Sequence, residues 1–189
     1  YQDGLAILDH FRKHRGKYFM KKNYELVGIE LPIFMNLQEN VQLKSYLDVV
    51  IRNKISGRIT IIDLKTSTRS WTDFQKKDFN KKSQLLLYKQ FYSEKFDVPL
   101  DKITVEFLIL KRKIAKNSDF PISRLQRFEP ANGKPTVNKV DKAFTEFREL
   151  ILDSKGDYKT DRTYNASPGR ACTFCEFLNT EHCKWGKKL

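Results

Sequence analysis

The sequence predicts an α/β (α+β) fold in which a central mixed β-sheet is flanked by helices. The predicted elements follow the order helix, three strands, helix, strand, helix, which is typical of a sheet covered by helices. The chain has 189 residues, 40% hydrophobic and 13% aromatic, enough for one domain with its own core. We therefore expect a single core over 1–165 and a separate cysteine-containing tail over 166–189 that packs on the same domain.

The first two elements are predicted from the spacing of their apolar residues. Residues 4–15 carry leucine, isoleucine and phenylalanine at near-helical spacing, and Gly16 is a plausible helix end. Residues 24–37 are rich in β-branched and aromatic side chains, which predicts a strand. Pro32 indicates an edge, bend or bulge within it.

The next two apolar runs, 43–52 and 58–66, are predicted to form a hairpin, because the Asn, Ser and Gly of 53–57 suit a chain reversal. The later elements are assigned in the same way from their periodicity and end signals. They are a helix over 72–96, a strand over 103–110, a second hairpin arm near 125–128, and a helix capped by Thr136 or Asn138 that ends near Asp153.

The charge of the chain favours a polyanionic partner. Lysine and arginine number 36 against 23 acidic residues, so the formal charge is +13, and nucleic acid is the leading candidate. Charge alone is equally consistent with a basic soluble protein. No run approaches the roughly 20 apolar residues of a membrane span, and no leader pattern opens the chain. A cytoplasmic protein without a membrane partner is therefore expected.

The strand over 58–66 carries the residues most suggestive of chemistry. Asp63 and Lys65 stand two apart, so they share one strand face with the apolar Ile59 and Ile61. Charge thus begins abruptly at the far end of an apolar strand. A surface hairpin with a simple Asp-Lys ion pair is the alternative interpretation.

The hairpin register decides whether a second carboxylate joins Asp63. Pairing Arg52 with Ile59 makes Asp48 and Asp63 cross-strand neighbours, with Cβ atoms about 4.5 to 5.5 Å apart; the alternative places Asp48 opposite Ile62. Two carboxylates this close repel unless a cation lies between them. Mg²⁺ is the natural ion, and Lys65 could then stabilise charge on a phosphate.

Three further residues suit the same site. Glu30, in the preceding strand, offers a third carboxylate. Gln84 and Tyr88 stand at i and i+4 on one helix face, where both can form hydrogen bonds. Tyr88 is equally well explained as a core aromatic.

These residues form a series: Glu30, LDVV at 47–50, IIDLKT at 61–66 and QxxxY at 84–88. The series resembles the motifs of RecB-like nucleases in the PD-(D/E)XK superfamily, over roughly residues 24 to 110. The resemblance implies a restriction-endonuclease-like sheet and Mg²⁺ or Mn²⁺ bound by Asp48, Asp63 and the Leu64 carbonyl. It further implies that Lys65 is the catalytic lysine and that Gln84 and Tyr88 are accessory groups. The metal-binding histidine that many members carry on an earlier helix is expected upstream of Tyr1.

The tail contains all three cysteines of the chain. Cys172 and Cys175 form a CxxC pair, a common metal-binding element, and Cys183 follows. The spacing resembles the last three ligands of the [4Fe-4S] cluster in AddB-type and CRISPR-adaptation nucleases. A zinc site with His182 as the fourth ligand is the second interpretation, and free thiols are the third.

Basic and aromatic residues near these motifs suggest a DNA path: Trp71, Lys111, Arg112 and Lys113. The sequence therefore predicts a metal-dependent deoxyribonuclease, an exonuclease on single strands or duplex ends. The alternative is a catalytically silent nucleic-acid-binding module with the same fold. A partner subunit, or further domains of a larger recombination machine, is also expected.

Overall fold

The computed structural model describes residues 1–19, 22–114, 122–162 and 168–183. The chain divides into two compact units, Tyr1–Asp157 and Tyr158–Leu189. In these described ranges, the sheet and four α-helices lie in the first unit. The described part of the second unit contains one short 3₁₀ helix, Arg170–Phe174.

Five strands of the described chain form one mixed sheet in the order β1-β2-β3-β4-β5. Strands β3 and β4 are parallel, and the other neighbouring pairs are antiparallel. This arrangement confirms the predicted mixed sheet flanked by helices. The elements are α1 (Gln2–Phe19), β1 (Tyr24–Gln38), β2 (Val41–Asn53), β3 (Ile59–Ser67), α2 (Asp73–Lys77), α3 (Phe79–Phe96), β4 (Ile103–Lys111), β5 (Leu125–Phe128) and α4 (Lys134–Ile151).

The two faces of the sheet pack against different helices. On one face, residues of α3 and α4 such as Leu86 and Val140 pack with strand residues such as Ile61. On the other face, Ile7 and Tyr18 of α1 pack with strand residues such as Ile62. Helices and sheet thus form three layers, and alternate residues of β3 point to opposite layers. Asp63 and Lys65 share the α3 face with Ile61.

Three helix boundaries differ from the sequence prediction. Gly16 lies inside α1 rather than at its end. The helix predicted over 72–96 is two helices, because the Asp78 carboxylate accepts hydrogen bonds from the amides of Asn80 and Lys81 and so caps a new helix. The last helix begins at Lys134, where the proline at its second position needs no amide partner. Within the described ranges, no helix combines the length and apolar composition of a membrane span.

Candidate active site

Asp63 lies near the carboxyl end of β3, the central strand of the sheet. Its side chain is almost fully buried, with 3% of the residue exposed. Side chains alternate between the two faces of a strand. The face of β3 that buries Ile59 and Ile61 therefore also carries the Asp63 carboxylate. A carboxylate in this position must gain a partner to offset its lost hydration.

Asp48 reaches the same strand end from β2. The register with Arg52 opposite Ile59 is the observed one, and the paired ladder ends at Val49 and Ile62. Beyond that point an Asp48 carboxylate oxygen accepts a hydrogen bond from the backbone amide of Leu64, at 2.6 Å. Where the backbone pairing of β2 and β3 stops, the Asp48 side chain supplies the next hydrogen bond between the two strands. This bond fixes the backbone between Asp63 and Lys65.

A chain of hydrogen bonds connects the site to α3. The Lys65 ammonium lies 2.8 Å from Asp63 Oδ2 and donates to Oδ1 at 3.1 Å. It also donates to Gln84 Oε1 at 3.2 Å, and Gln84 Nε2 donates to the Tyr88 hydroxyl at 2.8 Å. The i, i+4 spacing on α3 therefore aligns Gln84 and Tyr88 behind the lysine.

The negative charge of Asp63 is only partly compensated by the positive charge nearby. Burial raises the pKa of Asp63 above its usual range. The hydrogen bond and charge of Lys65 oppose this effect on the pKa, whereas the negative charge of Asp48 adds to it. The single lysine therefore does not balance the two carboxylates.

The donor set fits a hard divalent cation. Asp63 Oδ2 is fully buried and accepts no hydrogen bond from the described residues, although the Lys65 ammonium lies 2.8 Å from it. Such an oxygen is left over for a ligand, and carboxylate oxygens are what Mg²⁺ and Mn²⁺ prefer. Asp48 and Asp63 are only two such groups. No cluster of three or more His, Cys, Asp or Glu side chains able to hold a metal is found in the described part of the chain.

Glu30, the predicted third carboxylate, occupies an unusual position. In β1 it lies between Ile29, which pairs with Val49, and Leu31, which pairs with Leu47, so it stands level with Asp48. Its backbone is in the left-handed region, with φ of +49°, which costs a non-glycine residue about 1–2 kcal/mol. Its side chain is exposed, and the structure does not group it with the two aspartates.

The two histidines of α1 are engaged within that helix. His10 Nε2 lies 3.3 Å from the Tyr18 hydroxyl, and His14 Nδ1 lies 3.0 Å from the His10 carbonyl. Burial lowers the pKa of His10, which favours its neutral form. Helix α1 packs on the sheet face opposite the one that carries Asp63.

The predicted DNA-contacting residues separate into different environments. Trp71 is only 6% exposed and packs on Phe107 with ring centroids 5.1 Å apart, so the interpretation as a base-stacking residue is wrong. Phe74, which the sequence analysis missed, is 85% exposed just after it. Arg112 is exposed and donates to the Thr68 hydroxyl at 2.6 Å. Lys113 is exposed and Lys111 is buried.

The tail cysteines are all free thiols. Two of them are positioned by short turns: the Cys175 amide donates to the Cys172 carbonyl at 3.0 Å, and the Cys183 amide to the Thr180 carbonyl at 3.1 Å. Cys175 is exposed and the other two are half-buried. His182 lies 3.6 Å from Glu181. In the described part of this unit the four candidate ligands do not converge on one point.

Comparison with known protein families agrees with this geometry. A family model described as the PD-(D/E)XK nuclease superfamily matches residues 5–180. Among solved structures, SSO0001 is similar at a TM-score of 0.39 and 17% identity, over 76% of this chain and 58% of that one. The chain thus spans less than two thirds of that protein. No curated protein sequence matches it significantly.

Proposed function

Because the match extends over nearly its whole length, the chain belongs to the PD-(D/E)XK nuclease superfamily, and on this premise we propose that it is a metal-dependent deoxyribonuclease of the RecB-like branch. One observation carries the proposal: two aspartates and a lysine meet at the end of one strand, and a buried carboxylate oxygen there accepts no hydrogen bond from the described residues, although the Lys65 ammonium lies 2.8 Å from it. The nearly complete burial of Asp63 favours this interpretation over a surface ion pair.

Each side chain has a distinct part in the proposed reaction. Asp63 and Asp48 would hold Mg²⁺ or Mn²⁺, and the Leu64 carbonyl is the third proposed ligand. The bound ion would polarise the phosphate and lower the pKa of water. Lys65 places its ammonium beside Asp63, where it can stabilise negative charge that develops on the phosphate. Gln84 and Tyr88 restrict the lysine to that position.

DNA is the proposed substrate, with single strands or duplex ends as the cleaved form. The charge of +13 supports a polyanion, since lysine and arginine contacts to phosphate release counterions. The exposed Lys113, Arg112 and Phe74 follow the ends of β3 and β4, where backbone contacts and base stacking are both available. A larger assembly that presents the DNA end to this domain is also part of the proposal.

Magnesium-dependent cleavage of end-labelled DNA tests the function directly. We expect cleavage with Mg²⁺ or Mn²⁺ and none with an excess of chelator, because the two aspartates alone cannot activate water. A linear strand should be degraded while a circular strand of the same sequence persists. Tight DNA binding without cleavage under any divalent ion would instead support the silent binding module, and would contradict the proposal.

Gln84→Leu separates positioning of the lysine from the chemistry itself. Gln84 contacts Lys65 rather than Asp63, so it would act by orienting a residue of the site. Loss of such an orienting residue should lower the cleavage rate about 10- to 100-fold. In a Lys65→Met background the additional loss should largely disappear, since the two side chains act through one contact. Full additivity of the two losses would show that Gln84 acts independently of the lysine.

For the tail, we propose that the cysteines bind a metal centre, a [4Fe-4S] cluster rather than zinc. Cys172, Cys175 and Cys183 lie within twelve residues in a segment of short turns, and thiolates suit both centres. Anaerobically purified protein should be brown, with iron and sulfide that the Cys175→Ala variant loses. Thr173→Ala, between the two cysteines of the CxxC pair, is the matched control and should keep both. Colourless protein with stoichiometric zinc would indicate a zinc site instead of the cluster. Protein that contains neither metal would contradict both interpretations.

A further inference from the structure

A cavity of about 450 Å³ lies beyond the ends of β3 and β4. Its described lining consists of the cationic Arg69, Lys111 and Lys113, together with Ser70, Ile114 and Ile122. Arg69 and Ser70 follow β3, whereas Lys111 is the last residue of β4. None of the described lining residues is acidic, and three of the six are cationic.

Lys111 is the unusual member of this lining. It is 7% exposed, although a buried lysine normally has a partner. Among the described residues no hydrogen bond or ion pair is made by its ammonium. Its backbone carbonyl accepts a hydrogen bond from Arg124, which brings a further cation close. Burial and the charge of Arg124 both lower the pKa of Lys111.

The position of Lys111 relates the cavity to the proposed cleavage site. In the parallel pair β3 and β4, Lys65 is opposite Ile109 and Ser67 is opposite Lys111. Alternation of the strand places Lys111 on the same sheet face as Ile109, the face of Asp63 and Lys65. Strand spacing and rise place the Cα atoms of Lys65 and Lys111 about 8 Å apart. The cavity therefore adjoins the site.

We propose that this cavity binds the terminal phosphate monoester of a DNA strand, with Lys111 as its anchor. The proposal rests on the proposed nuclease function and specifies which DNA end the site recognises. A phosphate monoester carries about −1.5 to −2 charges at neutral pH, so the three cations of the described lining would attract it more strongly than the single charge of a backbone diester. Most of the Lys111 side chain is shielded from water, and a charge-assisted hydrogen bond is stronger where less water competes for it.

Binding measured without cleavage tests the proposal. Fluorescence anisotropy in chelator would compare labelled strands of one sequence with a 5′-phosphate, a 3′-phosphate, or hydroxyl groups at both ends. We expect one phosphorylated strand to bind about tenfold more tightly than the hydroxyl strand. Lys111→Met should remove this preference. The matched control is Lys102→Met, an exposed lysine immediately before β4, which should keep it.

Equal binding of all three strands would overturn the proposal, as would a Lys111→Met variant that weakens binding to all of them alike. Thermal denaturation gives an independent readout: inorganic phosphate should raise the Tm of the wild-type protein and leave that of Lys111→Met unchanged. If Lys111→Met does not fold, Arg69→Gln, an exposed position in the same lining, should reduce the preference severalfold. Because no cleavage is measured, failure of this inference is distinguishable from failure of the nuclease assignment.

Discussion

Asp63→Asn is expected to lower the rate of DNA cleavage at least about 10³-fold, because the amide cannot replace a charged metal ligand. Loss of metal-derived stabilisation of the transition state is worth several kcal/mol, and each 1.36 kcal/mol is a factor of ten in rate. Single-turnover cleavage of labelled DNA at saturating Mg²⁺ measures the effect. Asp101→Asn, an exposed carboxylate that precedes β4, is the control and should retain the wild-type rate.

The same substitution should leave the metal-free protein folded and no less stable. Burial raises the pKa of Asp63 in the folded state, so protonation favours folding. The stabilising contribution is full below the pKa of the unfolded chain and is lost as pH rises through the folded pKa. Cleavage should change in the opposite direction, since the ionised carboxylate is needed for the metal. A variant that unfolds, or that cleaves at the wild-type rate, would contradict this assignment.

Lys65→Met is the second large expected effect, a loss of about 10² to 10³ in the cleavage rate. This is the usual cost of removing one donor that stabilises charge in a transition state. The DNA dissociation constant, measured in chelator, should change less than about threefold, because only one of many cationic groups is removed. Lys142→Met, an exposed lysine of α4, should affect neither quantity. Equal losses in affinity and rate would make Lys65 a binding residue only.

The sheet and the core of the site were predictable from the sequence because they depend on periodicity. The alternation of Ile59, Ile61, Asp63 and Lys65 fixes one face of β3, and the loop over 53–57 leaves little freedom in the hairpin register. The i, i+4 spacing of Gln84 and Tyr88 likewise places both side chains on one face of α3, where Gln84 donates a hydrogen bond to Tyr88. Each of these features is local or involves two adjacent strands.

Features that depend on departures from regular pairing were not predictable in this way. The ladder between β2 and β3 ends before Asp48, so its carboxylate bonds to the Leu64 amide rather than merely facing Asp63. The left-handed backbone of Glu30 has no sequence signal, since glutamate rarely adopts it. Trp71 is buried because Phe107, thirty-six residues later, comes to lie beneath it. Long-range packing decides such positions.

Three charged side chains among the described residues are buried, namely Asp63, Lys89 and Lys111. They contribute differently to thermal stability, which has a practical consequence for protein engineering. Lys89 donates two hydrogen bonds of 2.7 Å to Asn132, so replacing it leaves two partly buried acceptors unpaired, at a cost of at most about 1–3 kcal/mol. Asp63 and Lys111 have no such complete set of partners in the described ranges. Selection of random variants for heat resistance alone would therefore enrich neutral residues at 63 and 111 and spare Lys89, gaining stability while losing the proposed activity.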